Sequence, residues 1–195
     1  MMTRTKLVAV ALGALFSTGA LAQSTATEVQ RNVNQQERIE QGLHSGALST
    51  REAAKLEAGE ARVNRMESNA LRDGTLSDVE KARINKAQTA ESRAISRQKH
   101  DAQHGNPQSA SSQRMQAAVQ RNINQQKRIE QGVASGSLTN QETAKLERGQ
   151  AHVERREARA GIDGHVSAVG SASIQHAENV QSGRIYRNKH DVATK

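Results

Sequence analysis

Apolar residues in this chain recur at intervals of three and four, not at alternate positions. Val29, Val33, Ile39 and Leu43 form one stripe, and Ala53, Leu56, Val63, Met66 and Ala70 form a second. Ile84, Ala87, Ala94 and Ile95 make a thinner third. A period near 100° per residue predicts amphipathic α-helices. The helix-favouring sequence is broken at Ser45-Gly46-Ala47-Leu48-Ser49 and at Asp73-Gly74-Thr75-Leu76-Ser77. After these breaks a hydroxyl residue is followed three positions later by Glu, the capping box that closes a helix N-terminus. The pairs are Ser49 with Glu52, Ser77 with Glu80, and Thr139 with Glu142. This punctuation predicts helices over 27–43, 50–72, 78–100, 117–133, 140–161 and 168–190.

The pattern is written twice. Val29 to Ala102 aligns without a gap on Val119 to Val192 at a constant offset of ninety positions, with about half the paired residues identical. The expected fold is therefore all-α, with two tandem three-helix units over 23–102 and 117–195. Gln103 to Gln116, which contains the only proline, Pro107, reads as a flexible linker. Gly59 and Gly149 sit on the apolar face of the second helix of each copy. A mid-helix glycine costs about 1 kcal/mol against alanine, so both positions predict close approach of another helix. Each copy holds only about a dozen large aliphatic side chains. Packing of the copies together, self-association or a partner would supply the missing burial.

The first twenty-two residues read as an export signal: Arg4 and Lys6, then the apolar stretch Leu7–Leu21, then Ala20-Leu21-Ala22 before Gln23. The expected product is periplasmic or secreted, with no transmembrane segment after cleavage near Ala22-Gln23. The chain has no cysteine, which removes disulfides and thiolate chemistry. Without Arg4 and Lys6, 26 of the 28 basic residues remain against 20 acidic ones, a net charge of +6. Phe16 lies in the leader, so Tyr186 is the one aromatic residue beyond it. That scarcity argues against stacking sites for sugars or single-stranded nucleic acid.

Gly-x-[Leu/Val]-[Ser/Thr]-x-x-Glu at Gly46–Glu52, Gly74–Glu80 and Gly136–Glu142 resembles the second half of an EF-hand loop. The likeness implies helix–loop–helix pairs and calcium at the loops. Where the likeness places calcium ligands, the first loop has Gln41, Leu43 and Ser45, the third Gln131, Val133 and Ser135, and the fourth Arg159, Gly161 and Asp163. These suit a cation poorly. The second loop, with Asn69, Asp73, Ser77 and Glu80, is the best candidate metal site. The whole chain also resembles uncharacterised exported tandem-repeat helical proteins of Gram-negative bacteria, which implies a location and a fold but no activity.

Two further groups stand out. The polar opening of each copy places Arg31, Gln35 and Arg38 in register with Arg121, Gln125 and Arg128, a candidate partner-binding surface. The copies end in basic clusters, Arg93, Arg97 and Lys99 and then Arg184, Arg187 and Lys189. These suit the negative end of a helix dipole or a polyanion such as lipopolysaccharide, anionic lipid or nucleic acid. No nucleophile motif accompanies the histidines. The sequence thus predicts an exported, non-enzymatic helical repeat protein that binds a macromolecular partner or stabilises envelope components, with the stress response as its expected setting. No cofactor is expected. Divalent-metal binding and polyanion binding are the two rival readings.

Overall fold

A computed structural model describes the backbone of residues 17–191 and the side chains from Ser24 to Asp191. The leader predicted over residues 1–22 lies outside the residues whose side chains are described. The described residues fold into six helices: α1 (Ser17–Ser45), α2 (Thr50–Ala70), α3 (Asp78–Lys99), α4 (Ala110–Ala134), α5 (Asn140–Gly161) and α6 (Ala168–His190). Leu71–Asp73 adds one 3-10 turn, and no strand occurs among them. The predicted helices are all present, but α1 and α4 begin earlier than their periodicity indicated.

Short-range chemistry closes the first hairpin of each copy. Gly46 and Gly136 take φ of 75° and 71°, the left-handed conformation that ends a helix without a Cβ penalty. Leu48 then folds back so that its side chain lies over Gly42, and its N–H donates to the Gly42 carbonyl at 2.9 Å. Leu138 repeats this over Gly132. The capping boxes at Ser49–Glu52, Ser77–Glu80 and Thr139–Glu142 are all formed. The short turns between α1 and α2 (residues 46–49) and between α4 and α5 (residues 135–139) depart from the EF-hand likeness, because Gln41, Leu43 and Ser45 are still inside α1. Leu43 is fully buried.

The copies do not keep separate cores. α2 lies along α5 and α1 along α4, while α3 packs against α1 and α2, and α6 against α4 and α5. Ile39, Leu43, Leu48 and Leu56 from the first copy join Met115, Val119, Ile123 and Ile174 from the second in one apolar cluster. Two contacts define the relation between the copies. Asn64 Nδ2 donates to Glu154 Oε1 at 2.6 Å, and Lys127 Nζ pairs with Glu37 Oε1 at 2.7 Å. In each pair the partners occupy matching positions, ninety residues apart. A residue that touches its own counterpart lies beside a two-fold axis, so these two contacts relate α2 to α5 and α1 to α4 by an approximate local two-fold.

The linker expected to be flexible is instead seated on the first copy. The Gly105 N–H donates to the Gly46 carbonyl at 2.8 Å, and Gln116 Nε2 donates to the Pro107 carbonyl at 3.0 Å. Ser109 caps α4, so residues 110–116 are helical and Met115 is fully buried. Gly59 and Gly149 behave as their position predicted. A Cβ at either would overlap a side chain from the neighbouring helix, Glu91 of α3 or Gln181 of α6.

A Cβ at Gly105 would strike the backbone of Leu48 and Ser49, which cannot move aside as a side-chain tip can. Gly105→Ala is therefore expected to cost about 1–3 kcal/mol in urea-unfolding free energy; no change would mean the linker is not seated.

Candidate functional site

The pairing of α2 with α5 is built on polar residues. Glu57, Glu60, Asn64 and Glu67 on α2 match Glu147, Gln150, Glu154 and Glu157 on α5, spaced by three, four and three. All eight are buried, and among the described residues no Lys, Arg or His is buried with them. Amides surround the carboxyls. Gln36 Nε2 donates to Glu57 at 3.0 Å, Gln126 Nε2 to Glu147 at 3.2 Å, and Asn122 Nδ2 to Glu157 at 2.7 Å. Asn32 and Gln88 donate to the two oxygens of Glu67 at 2.7 and 2.9 Å.

Burial without a counter-cation disfavours the charged form. It pushes Glu57 up to about 7 and Glu147 up to about 8. Burial also holds Glu60, Glu67, Glu154 and Glu157 well above the usual carboxylate range, with neighbouring carboxyls adding to it. Glu57 is the first of the neighbouring carboxyls that add to the effect of burial on Glu157. Glu60 has neither oxygen hydrogen-bonded, and the Gln150 amide is equally without a partner among the described residues.

The solvent side of the same helices is basic. Lys145, Arg148, His152, Arg155 and Arg159 form one stripe on α5, spaced by three and four. Arg65 of α2, Arg72 of the 3-10 turn that follows it and Arg184 of α6 converge on it around a cavity of about 590 Å³. A neighbouring cavity of about 490 Å³ continues along α5, with His152 and Arg155 lining both and Arg156 and Arg159 added. No acidic residue lines either cavity. Among the described residues none of these cations forms an ion pair within 4.0 Å. His152 registers the resulting field: partial burial, then Arg156, Arg184 and Arg159, lower it from its ordinary value. Arg148, Arg156, Arg159 and Arg184 stand where the first copy has Ala58, Met66, Asn69 and Ala94, so the first copy carries no equivalent set of cations.

The residues predicted from sequence fall elsewhere in part. Arg31, Gln35 and Arg38 do not form an outward docking surface; they tie α1 to α3. Gln35 Nε2 donates to the Gln88 carbonyl at 2.6 Å, Arg38 to Ser92 Oγ at 2.6 Å, and Arg31 to Asn85 and Thr89. Arg121, Gln125 and Arg128 tie α4 to α6 in the same way, through Glu178, the Glu178 carbonyl and Ser182. Long polar side chains repeated at one spacing do dock a helix, but the helix is the chain's own.

The metal candidates make local bonds instead of converging. Asn69 accepts from Arg72, Asp73 from Thr75, and Ser77 and Glu80 cap α3. No three acidic or histidine side chains converge as a metal-holding group among the described residues. Of the helix-end cations, Arg184 joins the groove. Arg93 and Arg97 border a separate shallow cavity at the end of α3, while Lys99, Arg187 and Lys189 line neither groove cavity. The groove's α5 stripe was legible as spacing alone, whereas the contributions of α2 and α6 required the fold.

No family model matches the chain, and no curated protein or solved structure is similar to it.

The inward role of the polar opening is testable. Arg38→Ala and Gln35→Ala are each expected to lower unfolding free energy by about 1–3 kcal/mol, since each strips buried or half-buried groups of α3 of their donor. Hydrogen exchange should show α3 losing protection first; unchanged protection would return these residues to an outward role.

Proposed function

We propose that this is an exported, non-catalytic helical protein that grips a polyanion along the α2–α5–α6 groove. The carrying observation is the unpaired basic stripe. From Lys145 to Arg159 it runs fourteen residues, roughly 21 Å at the rise of an α-helix. That length matches a series of phosphate or sulfate groups better than one small anion. Tyr186, the one aromatic residue beyond the predicted leader, lies outside the groove lining. Recognition would therefore be of charge and spacing, without base stacking. The packed interior leaves the groove's cations fixed on two rigid helices, which limits the ordering cost of binding.

Long-chain inorganic polyphosphate and heparin are suitable probes. Affinity should fall linearly with the logarithm of salt concentration, as counterion release requires. Arg148→Glu combined with Arg159→Glu should weaken binding more than tenfold, while Arg93→Glu leaves it nearly unchanged. Binding should also raise the His152 pKa, read by NMR, because an anion offsets the arginines around it. Flow-through on both matrices at low salt, or an unaffected double variant, would refute the reading.

A further inference from the structure

The α2–α5 seam buries six glutamates and no cation, which poses a neutrality problem that the groove does not solve. Three agents could neutralise it. Basic side chains are absent from the buried set among the described residues. A metal ion needs several oxygens converging on one point, and no such group is formed among the described residues. A proton needs no convergent set of ligands, only a buried carboxyl crowded by another, and the six seam glutamates, Glu57 near Glu157 among them, provide that.

The groups facing the seam from each packed element reinforce this outcome. α1 presents Asn32 and Gln36, and its Arg38 reaches Glu60 as a favourable charge. Glu28, also on α1, is a further carboxyl near Glu67, itself offset by Arg31 and Lys81. α3 presents Gln88 and the carboxyl of Glu91, which Arg62 and Arg97 partly offset. α4 presents Asn122 and Gln126. α6 presents Glu178, whose own charge is held by Arg121, and Gln181. The net field from outside the seam is weak, and much of it is negative.

We propose that the α2–α5 seam is a proton-loaded latch, closed while its glutamates hold protons and loosened as rising pH removes them. The groove has one wall on each of these helices, so opening the seam dismantles it. Anion binding is then strong in mildly acid surroundings and weak in alkaline ones. This second half rests on the groove reading above; the latch itself does not.

The sign follows from linkage. The folded state holds these protons to higher pH than the unfolded state does, so unfolding releases them. Stability is greatest at or below the ordinary glutamate value, near 4.5, and falls as pH rises through the values near 7 and 8 of Glu57 and Glu147. The carboxylates outside the seam that folding favours as anions, such as Asp73, oppose this only at lower pH.

The test uses the full chain at fixed ionic strength with EDTA present, melted by circular dichroism from pH 5 to pH 9. The melting temperature should fall by roughly 10 °C or more across that range. Glu57→Gln with Glu147→Gln should flatten the dependence. Glu60→Gln is a second variant whose amide already stands at the matching position, Gln150. Polyphosphate affinity of the unmodified chain should drop at least tenfold from pH 6 to pH 9, and the flattened variant should retain it.

A melting temperature that is flat or rises with pH overturns the latch. So does a marked loss of stability when EDTA is added at constant pH, which would assign the seam to a metal. Affinity that ignores pH while stability falls overturns the coupling to the groove. Falling stability with no polyphosphate binding at any pH sustains the latch and removes only the anion reading.

Discussion

Carboxyl against carboxyl, buried between two antiparallel helices, is the constraint on which the rest of this molecule depends. An ionised glutamate leaves water only at large cost unless a cation or a proton goes with it. Here the matching positions Glu57/Glu147 and Glu67/Glu157 are acidic in both copies, and Glu154 faces its own counterpart, Asn64. The surrounding amides from α1 and α4 are the response: they donate to the carboxyls in a seam that is polar yet buried. α3 and α6 then cover the flanks, through Gln88 on one side and Gln181 over Gly149 on the other.

Duplication explains why such a seam can exist in a single chain. A two-fold interface sets a stripe of residues against its own copy, which for an acidic stripe means like charge against like charge. Joining the copies covalently frees each side to differ. Glu60 faces a frame in which the matching residue is Gln150, and Asn64 donates to Glu154. The flanks show the same exchange, with Gln88 and Glu91 on α3 answered by Glu178 and Gln181 on α6. The number of acidic groups in the interior is thereby reduced without losing the hydrogen-bonding shape.

Helix positions and the capped turns were legible because local rules determine them: Gly46 needs a positive φ, and Ser49 with Glu52 closes the next helix whatever lies around it. The six helices, the closeness at Gly59 and the incompleteness of one copy's core followed from the same kind of reading. What remained hidden was which polar residues face inward. Met66 was assigned to the core stripe of α2 but is half-exposed, while Glu57, Glu60 and Glu67 are buried. Hydrophobic periodicity marks glutamates as solvated by default, and only pairing with α5 reverses that. The opening Arg31–Arg38 looked outward for the same reason. The groove is the converse case: Arg148, Arg156, Arg159 and Arg184 lie where the copies differ, so the repeat does not mark them.

Two faces of the same helices therefore carry opposite charge chemistry, an acidic seam inside and an unpaired basic groove outside. Both are held by α2 and α5, and the state of the seam determines whether the groove exists. The central claim is that the seam glutamates are protonated in the native protein near neutrality. Carbon-13 NMR titration of the glutamate carboxyl carbons in the folded full chain addresses it directly. The account predicts a distinct set of carboxyls that remain protonated at pH 6 and titrate only near pH 7 to 8 or with unfolding, Glu57 and Glu147 among them. If every glutamate titrates near the ordinary value of about 4.3 while the helices stay intact, the seam is not proton-loaded and the account fails.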